Sequence, residues 1–170
     1  ASQLAALLYN IVDRIFIGHI SDVGFDALTG IGLTFPIVII INAFTLLFGQ
    51  GGSPEFSIAR GAGNTNKATK VLHSSFILLF CSSIILTLVG LIFMKPILYL
   101  FGADDVTYIF ASDYLRIYLW GTMFYMISIG LNFYISAQGF PRIAMITTLA
   151  GSAINIALDP IFIFALGLGI

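Results

Sequence analysis

Long apolar runs organise this chain. Residues 27–54, 71–94 and 117–141 contain no charged side chain. About 20 apolar residues, at 1.5 Å of rise each, cross the hydrocarbon core of a bilayer. The pattern predicts membrane-spanning helices over residues 1–19, 28–56, 69–95, 112–138 and 142–168. No stretch alternates with the period of a strand, and no low-complexity linker separates domains. The expected fold is an all-α integral membrane protein of five transmembrane helices.

Composition agrees. The 170 residues are 59% hydrophobic and 9% charged, where a soluble domain carries about 25% charged residues. A formal net charge of −1 gives no electrostatic basis for binding nucleic acid. The one cysteine, Cys81, lies in an apolar run, which excludes a disulfide framework. The first apolar stretch lacks the basic start and small-residue cleavage site of a secretory signal. The chain has no initiator Met, begins inside a helical pattern and stops at "LGLGI". It therefore reads as a piece of a longer protein.

Basic residues set the expected orientation. Arg60, Lys67 and Lys70 lie between the second and third segments, and Arg142 between the fourth and fifth. The intervening loops carry Asp22, Asp26, Asp104 and Asp105, with Lys95 as their basic residue. This bias places the Arg60 and Arg142 loops in the cytoplasm of a multi-pass protein of the cell (inner or plasma) membrane. Tyr99, Tyr108, Tyr114, Tyr118 and Trp120 would form an aromatic belt at the outer interface.

With that orientation, two acids fall at similar depth in the outer half of the membrane: Asp13 in the first segment and Asp159 in the fifth. An ionised carboxylate near the bilayer centre costs roughly 2.5–3.5 kcal/mol on the lenient insertion scale, so such groups are functional by default. Asn155 and Asp159 are spaced i, i+4 and share a helix face, as do Tyr9 and Asp13. Pro160 cannot donate to the Ile156 carbonyl and crowds it, which predicts a kink. A freed carbonyl, an amide oxygen and a carboxylate within one turn suit a small hard cation. Two desolvated carboxylates together would instead raise a pKa enough to carry a proton. The bland alternative pairs Asp13 with Arg14 or a nearby basic group as a structural anchor and makes Asp159 a cap on a broken helix, with Asn155 and Tyr9 as interhelical hydrogen-bond partners.

Other features carry less. "FGQGGSPEF" (Phe48 to Phe56) lacks the ending of a phosphate loop; its glycines and Pro54 fit close packing or bending. Glu55 is expected past the apolar core, and His73 at the cytoplasmic interface. Asn42, Thr45, Ser128 and Asn132 would line a polar cavity or bond between helices. No nucleophile–His–acid set, metal-ligand cluster or cofactor motif is present, so neither an enzyme nor a cofactor is expected.

"LYNIVDRIFIGHI", "GGSPEFSIARGAGN" and "AINIALDPIFIF" follow one another along the chain. In this the sequence resembles the multidrug and toxic compound extrusion (MATE) family of efflux transporters, most closely its bacterial branches, over its whole length. It departs from the common Ser-Arg pair near the end of the second helix: Ile58 follows Ser57, and the arginine is Arg60, directly before Gly61. The resemblance implies twelve helices in two lobes around a central cavity, of which this chain is an incomplete N-terminal lobe lacking helices six to twelve. It implies Na⁺ or H⁺ as coupling ion, Asp13, Asn155 and Asp159 as part of the cation site with Tyr9 nearby, and small amphipathic organic cations as substrates. Two rivals remain. One is a lipid-linked oligosaccharide flippase of the same broad superfamily, which needs basic residues in its cavity. The other is a non-transporting membrane scaffold or receptor.

Overall fold

The computed structural model describes residues 24–160, and the surroundings of side chains over 28–154. Among the described residues there are five helices and no strand: α1 Gly24–Gly61, α2 Thr65–Ile92, α3 Met94–Leu100, α4 Asp105–Ala137 and α5 Pro141–Pro160. The segment expected over residues 1–19 lies outside the described residues. The short α3 has no counterpart among the expected segments, and Pro96 accounts for it. Proline has no amide to continue the ladder of α2, so α2 ends at Ile92, with the Phe93 amide donating to the Val89 carbonyl (2.9 Å). The chain then restarts with Pro96 in a first turn, where a missing amide costs nothing.

The helices outrun the hydrocarbon core. At 1.5 Å per residue the 38 residues of α1 extend about 57 Å and the 33 of α4 about 50 Å, against a core of about 30 Å. Helix α4 begins seven residues before the apolar segment expected from residue 112, because Asp104 caps it. The carboxylate accepts from the Thr107 amide (2.8 Å) and hydroxyl (2.6 Å), while that hydroxyl accepts from the Asp104 amide (3.0 Å). This reciprocal pair works as a capping box. The helix also carries Asp113 and Arg116, ahead of its uncharged run. Arg116 thus joins Lys95 between the third and fourth apolar runs, and the basic bias between the two sets of loops is four to two, with its sign unchanged.

Three helices stop in one way. Gly63, Gly102 and Gly139 adopt positive φ (72°, 97° and 92°) directly after α1, α3 and α4. In each case the next amide reaches back five residues: Asn64 to the Ala59 carbonyl (2.9 Å), Ala103 to Leu98 (3.0 Å), Phe140 to Ile135 (3.3 Å). This is the Schellman arrangement, open to glycine because it has no Cβ to clash. The next helix starts at once, with the Asn64 side chain accepting from the Lys67 amide (2.9 Å) at α2 and Pro141 opening α5.

The chain divides into two compact units. One comprises Phe35–Met94 and Arg116–Ala144; the other takes the described parts of Ala1–Thr34, Lys95–Leu115 and Met145–Ile170. In the first unit the interior combines large apolar side chains, Ile41, Leu79, Leu119, Met126 and Tyr134 among them, with small polar ones. Thr45, Ser75, Ser83 and Thr122 are buried, whereas Ile58, Trp120 and Phe124 are about 70% exposed. Large apolar side chains left exposed on the outer surface suit a lipid surround. Leu28–Gly61 and Thr65–Ile92 are each long and apolar enough to cross a membrane. In the second unit Ile31 packs with Leu28, Phe110 and Tyr114. Gly30 sits so close to α4 that a Cβ on it would stand 2.9 Å from the Thr107 carbonyl oxygen.

Candidate functional site

The close contacts of the first unit determine which polar groups meet. A Cβ added to Gly49 of α1 would lie 2.7 Å from the Cα of Gly130 on α4. Backbones approach this closely where both helices carry glycine at the crossing. One turn towards the end of α1, a Cβ on Gly52 would overlap the Tyr134 and Ser75 hydroxyls. The absence of side chains at these glycines makes room for a polar seam between α1, α2 and α4.

Four links form that seam. Tyr125 donates its hydroxyl to the Asn42 side-chain oxygen, and the Asn42 amide nitrogen donates to the Val38 carbonyl (3.1 Å). The Tyr118 ring lies 6.3 Å from that of Tyr125. The Tyr134 hydroxyl shares a 2.5 Å hydrogen bond with the Ser75 hydroxyl and lies 3.3 Å from the Phe48 carbonyl oxygen; its ring meets Phe56 edge-on at 5.4 Å. The Thr87 hydroxyl donates to the Leu119 carbonyl (3.0 Å) and that of Ser57 to the Ala137 carbonyl (3.3 Å). At the start of α5, the Asn132 amide donates to the Ala144 carbonyl (3.2 Å). These groups are neutral. They orient and hold, but none supplies the charge that would neutralise a cation or a phosphate.

The residues singled out from the sequence fall in three places. Tyr9 and Asp13 lie outside the described residues. Asn155, Asp159 and Pro160 lie on α5, which runs as one helix from Pro141 to Pro160; their side chains, and the kink expected at Pro160, are likewise outside the described part. Of the polar residues expected to line a cavity, Asn42 and Asn132 bond between helices. Thr45 instead turns its hydroxyl onto its own helix at the Ile41 carbonyl (2.8 Å), and Ser128 is exposed. Sequence reasoning overlooked Tyr125, Tyr134 and Ser75. The signal was present, since a tyrosine hydroxyl inside an apolar run must find a partner.

Towards the C-terminal end of α1 the glycine-rich stretch has a further device. Pro54 leaves the Gln50 carbonyl without its amide donor, and the Ser53 hydroxyl donates to that carbonyl at 3.0 Å. Glu55 pairs with Lys67 across the α1–α2 turn at 3.2 Å, both more than half exposed, and His73 is exposed. At the opposite ends of the helices, the Thr107 hydroxyl and amide hold the Asp104 carboxyl below its ordinary pKa. The Tyr99 hydroxyl donates to Asp105 at 2.6 Å, and that bond raises the phenol's pKa. No group of three or more His, Cys, Asp or Glu side chains among the described residues is placed to hold a metal ion.

Exposed large apolar side chains, polar groups satisfied between helices and glycine-mediated crossings define a helical membrane protein. Comparison with known proteins makes the class specific. The MatE family model matches residues 1–161, and the chain belongs to that family. It is 34% identical to the multidrug export protein MepA of Staphylococcus haemolyticus, over 99% of this chain and 37% of that protein. It is 32% identical to the FAD transporter of Shewanella oneidensis, over 96% of this chain and 36% of that one. The outward-facing structure of a multidrug resistance MATE family transporter superimposes with a TM-score of 0.90 at 28% identity, covering 99% of this chain and 37% of that one. The chain thus spans little more than a third of the length of its relatives. These relatives are transporters and not enzymes, and the family needs no prosthetic cofactor.

Proposed function

We propose that the full-length protein exports amphipathic organic cations from the cell in exchange for Na⁺ or H⁺, and that Asp13, Asn155 and Asp159, with Tyr9 nearby, hold the coupling ion. The observation that carries this reading is the course of α5. One continuous helix keeps Asn155 and Asp159 a single turn apart on one face, directly before a proline. The similarity to a multidrug export protein supports the cargo class.

The mechanism is linkage. Occupancy of the carboxylates by Na⁺ or a proton removes negative charge from the membrane interior and favours one of two arrangements of the complete protein. Cargo binds that arrangement less tightly, so ion entry expels cargo. In this reading the Arg60 and Arg142 loops face the cytoplasm.

The relative named as a FAD transporter raises a second reading, in which the cargo is a flavin dinucleotide. A pyrophosphate needs basic partners, and so does the lipid-linked sugar of a flippase. Residues 27–54, 71–94 and 117–141 offer no Lys or Arg, which favours the cationic cargo. Everted vesicles containing the full-length protein separate the organic-cation and FAD readings. A fluorescent organic cation should accumulate when a Na⁺ or a pH gradient is imposed, and the effective gradient names the ion. Asp159→Asn should insert normally and lose this accumulation. Parental transport by Asp159→Asn would show the carboxylate to be structural. Uptake of FAD with no uptake of the organic cation would replace the cargo assignment.

A further inference from the structure

The charge around the α1–α2 turn is unbalanced. No acidic residue occurs between Phe56 and Ala103, and Glu55, just before that stretch, is already paired with Lys67. Arg60 and Lys70 are therefore left without an acidic partner among the described residues. Arg60 borders a groove of about 320 Å³ formed where the last turns of α1, the first turns of α2 and the end of α4 meet. Thr65, Thr69 and Gln138 share its polar rim, and Phe56 and Leu72 are among its apolar residues. None of the four polar side chains has a hydrogen-bond or ion-pair partner among the described residues.

The lining is graded with depth. Arg60 and Thr65 lie within a residue of their helix ends, beyond the uncharged runs of residues 27–54 and 71–94. Phe56 lies four residues inward of Arg60 and Leu72 seven inward of Thr65, about 6 and 10 Å by helical rise, towards those apolar runs. Phe56 is buried against Tyr134 and Leu72 is half-buried, so a soluble anion would use the rim and leave Leu72 uncovered; an acyl chain alone would leave the guanidinium unpaired. A molecule with an anionic head and an apolar body satisfies both.

We propose that this groove holds an anionic phospholipid of the leaflet facing the Arg60 loop, with its phosphodiester at Arg60, Thr65 and Thr69 and its glycerol–acyl portion on Leu72, next to Phe56. Guanidinium–phosphate pairing is charge-assisted and bidentate, and interfacial basic residues attract acidic headgroups. The site is independent of the ion-coupling residues, so its test does not depend on transport.

Native mass spectrometry of the purified full-length protein, titrated with phosphatidylglycerol or phosphatidylcholine, reads the bound lipid directly. Phosphatidylglycerol should be retained in preference to phosphatidylcholine. Arg60→Gln should weaken that retention roughly five- to ten-fold, and Lys95→Gln, in the other set of loops, should leave it unchanged. The double variant Thr65→Val/Thr69→Val should weaken it as well, and it serves if Arg60→Gln fails to fold. Equal retention of the two lipids, or undiminished retention by the folded variants, overturns the proposal. Displacement of phosphatidylglycerol by an equal concentration of glycerol phosphate overturns it in favour of a soluble phosphate ligand.

Discussion

Gly49 and Gly130 meet at the crossing of α1 and α4 with no room for a methyl group, since a Cβ on Gly49 would stand 2.7 Å from the Cα of Gly130. A backbone atom cannot turn aside as a side-chain end can, so a substitution there must part the helices. Gly49→Ala is expected to destabilise by about 1–3 kcal/mol, the usual range for overpacking. Two residues on, Gly51 has nothing within 4 Å of its Cβ position. Gly51→Ala should be neutral or stabilising by up to about 1 kcal/mol, because alanine is the better helix former. Thermal unfolding of the two variants in detergent separates them, and equal midpoints would refute the contact.

The bond from Tyr125 to Asn42 joins two helices through their apolar runs. Interhelical hydrogen bonds in membranes average about 0.6 kcal/mol and reach about 1.7. A double-mutant cycle with Tyr125→Phe and Asn42→Leu should give a coupling energy in that range. A coupling near zero would mean that the two side chains stabilise the protein independently.

The Asp104 cap makes a pH prediction. The Thr107 hydroxyl and amide bond to the carboxylate lower its pKa from an ordinary 3.8. The folded state therefore binds a proton less readily than the unfolded state, and the stability contributed is fully present above pH 3.8. It is lost as pH falls through the lower folded value. Melting temperature should fall more steeply below pH 4 in the parent than in Asp104→Asn, whose amide oxygen caps without titrating. Parallel profiles would remove the cap from the account.

If Asp13 and Asp159 act as one site, their effects should not add. Asp13→Asn alone should abolish gradient-driven export to the same extent as Asp159→Asn, and the double variant should be no worse than either. Additive partial losses would assign the two carboxylates to separate steps.

The sequence made the class of fold plain, because uncharged runs of 24 residues or more have no stable setting outside a bilayer or a large core. It did not mark the ends of the helices. Hydropathy registers only the part in contact with lipid, whereas hydrogen bonding continues to the caps at Gly63 and Gly139 and back to Asp104. Nor did it pair Asn42 with Tyr125 or Ser75 with Tyr134. Helices α2 and α4 are apolar on every side, so no stripe declares which face turns inward. The acids were conspicuous for the opposite reason: Asp159 is the one acid of the fifth apolar segment, and Asp13 stands with Arg14 in an otherwise apolar first one. Their depth and neighbours depend on helix geometry that spacing alone cannot supply.

The turn between α1 and α2 leaves very little slack. Three residues connect the helices, the Ala59 carbonyl is already tied to Asn64, and Glu55 reaches across to Lys67. Sliding one helix past the other by a single turn would take about 5.4 Å, more than such a connection can absorb. In any rearrangement of the full-length protein, the end of α1 and the start of α2 must travel as one body. Spin labels at positions 55 and 67 should keep a fixed separation while distances elsewhere change.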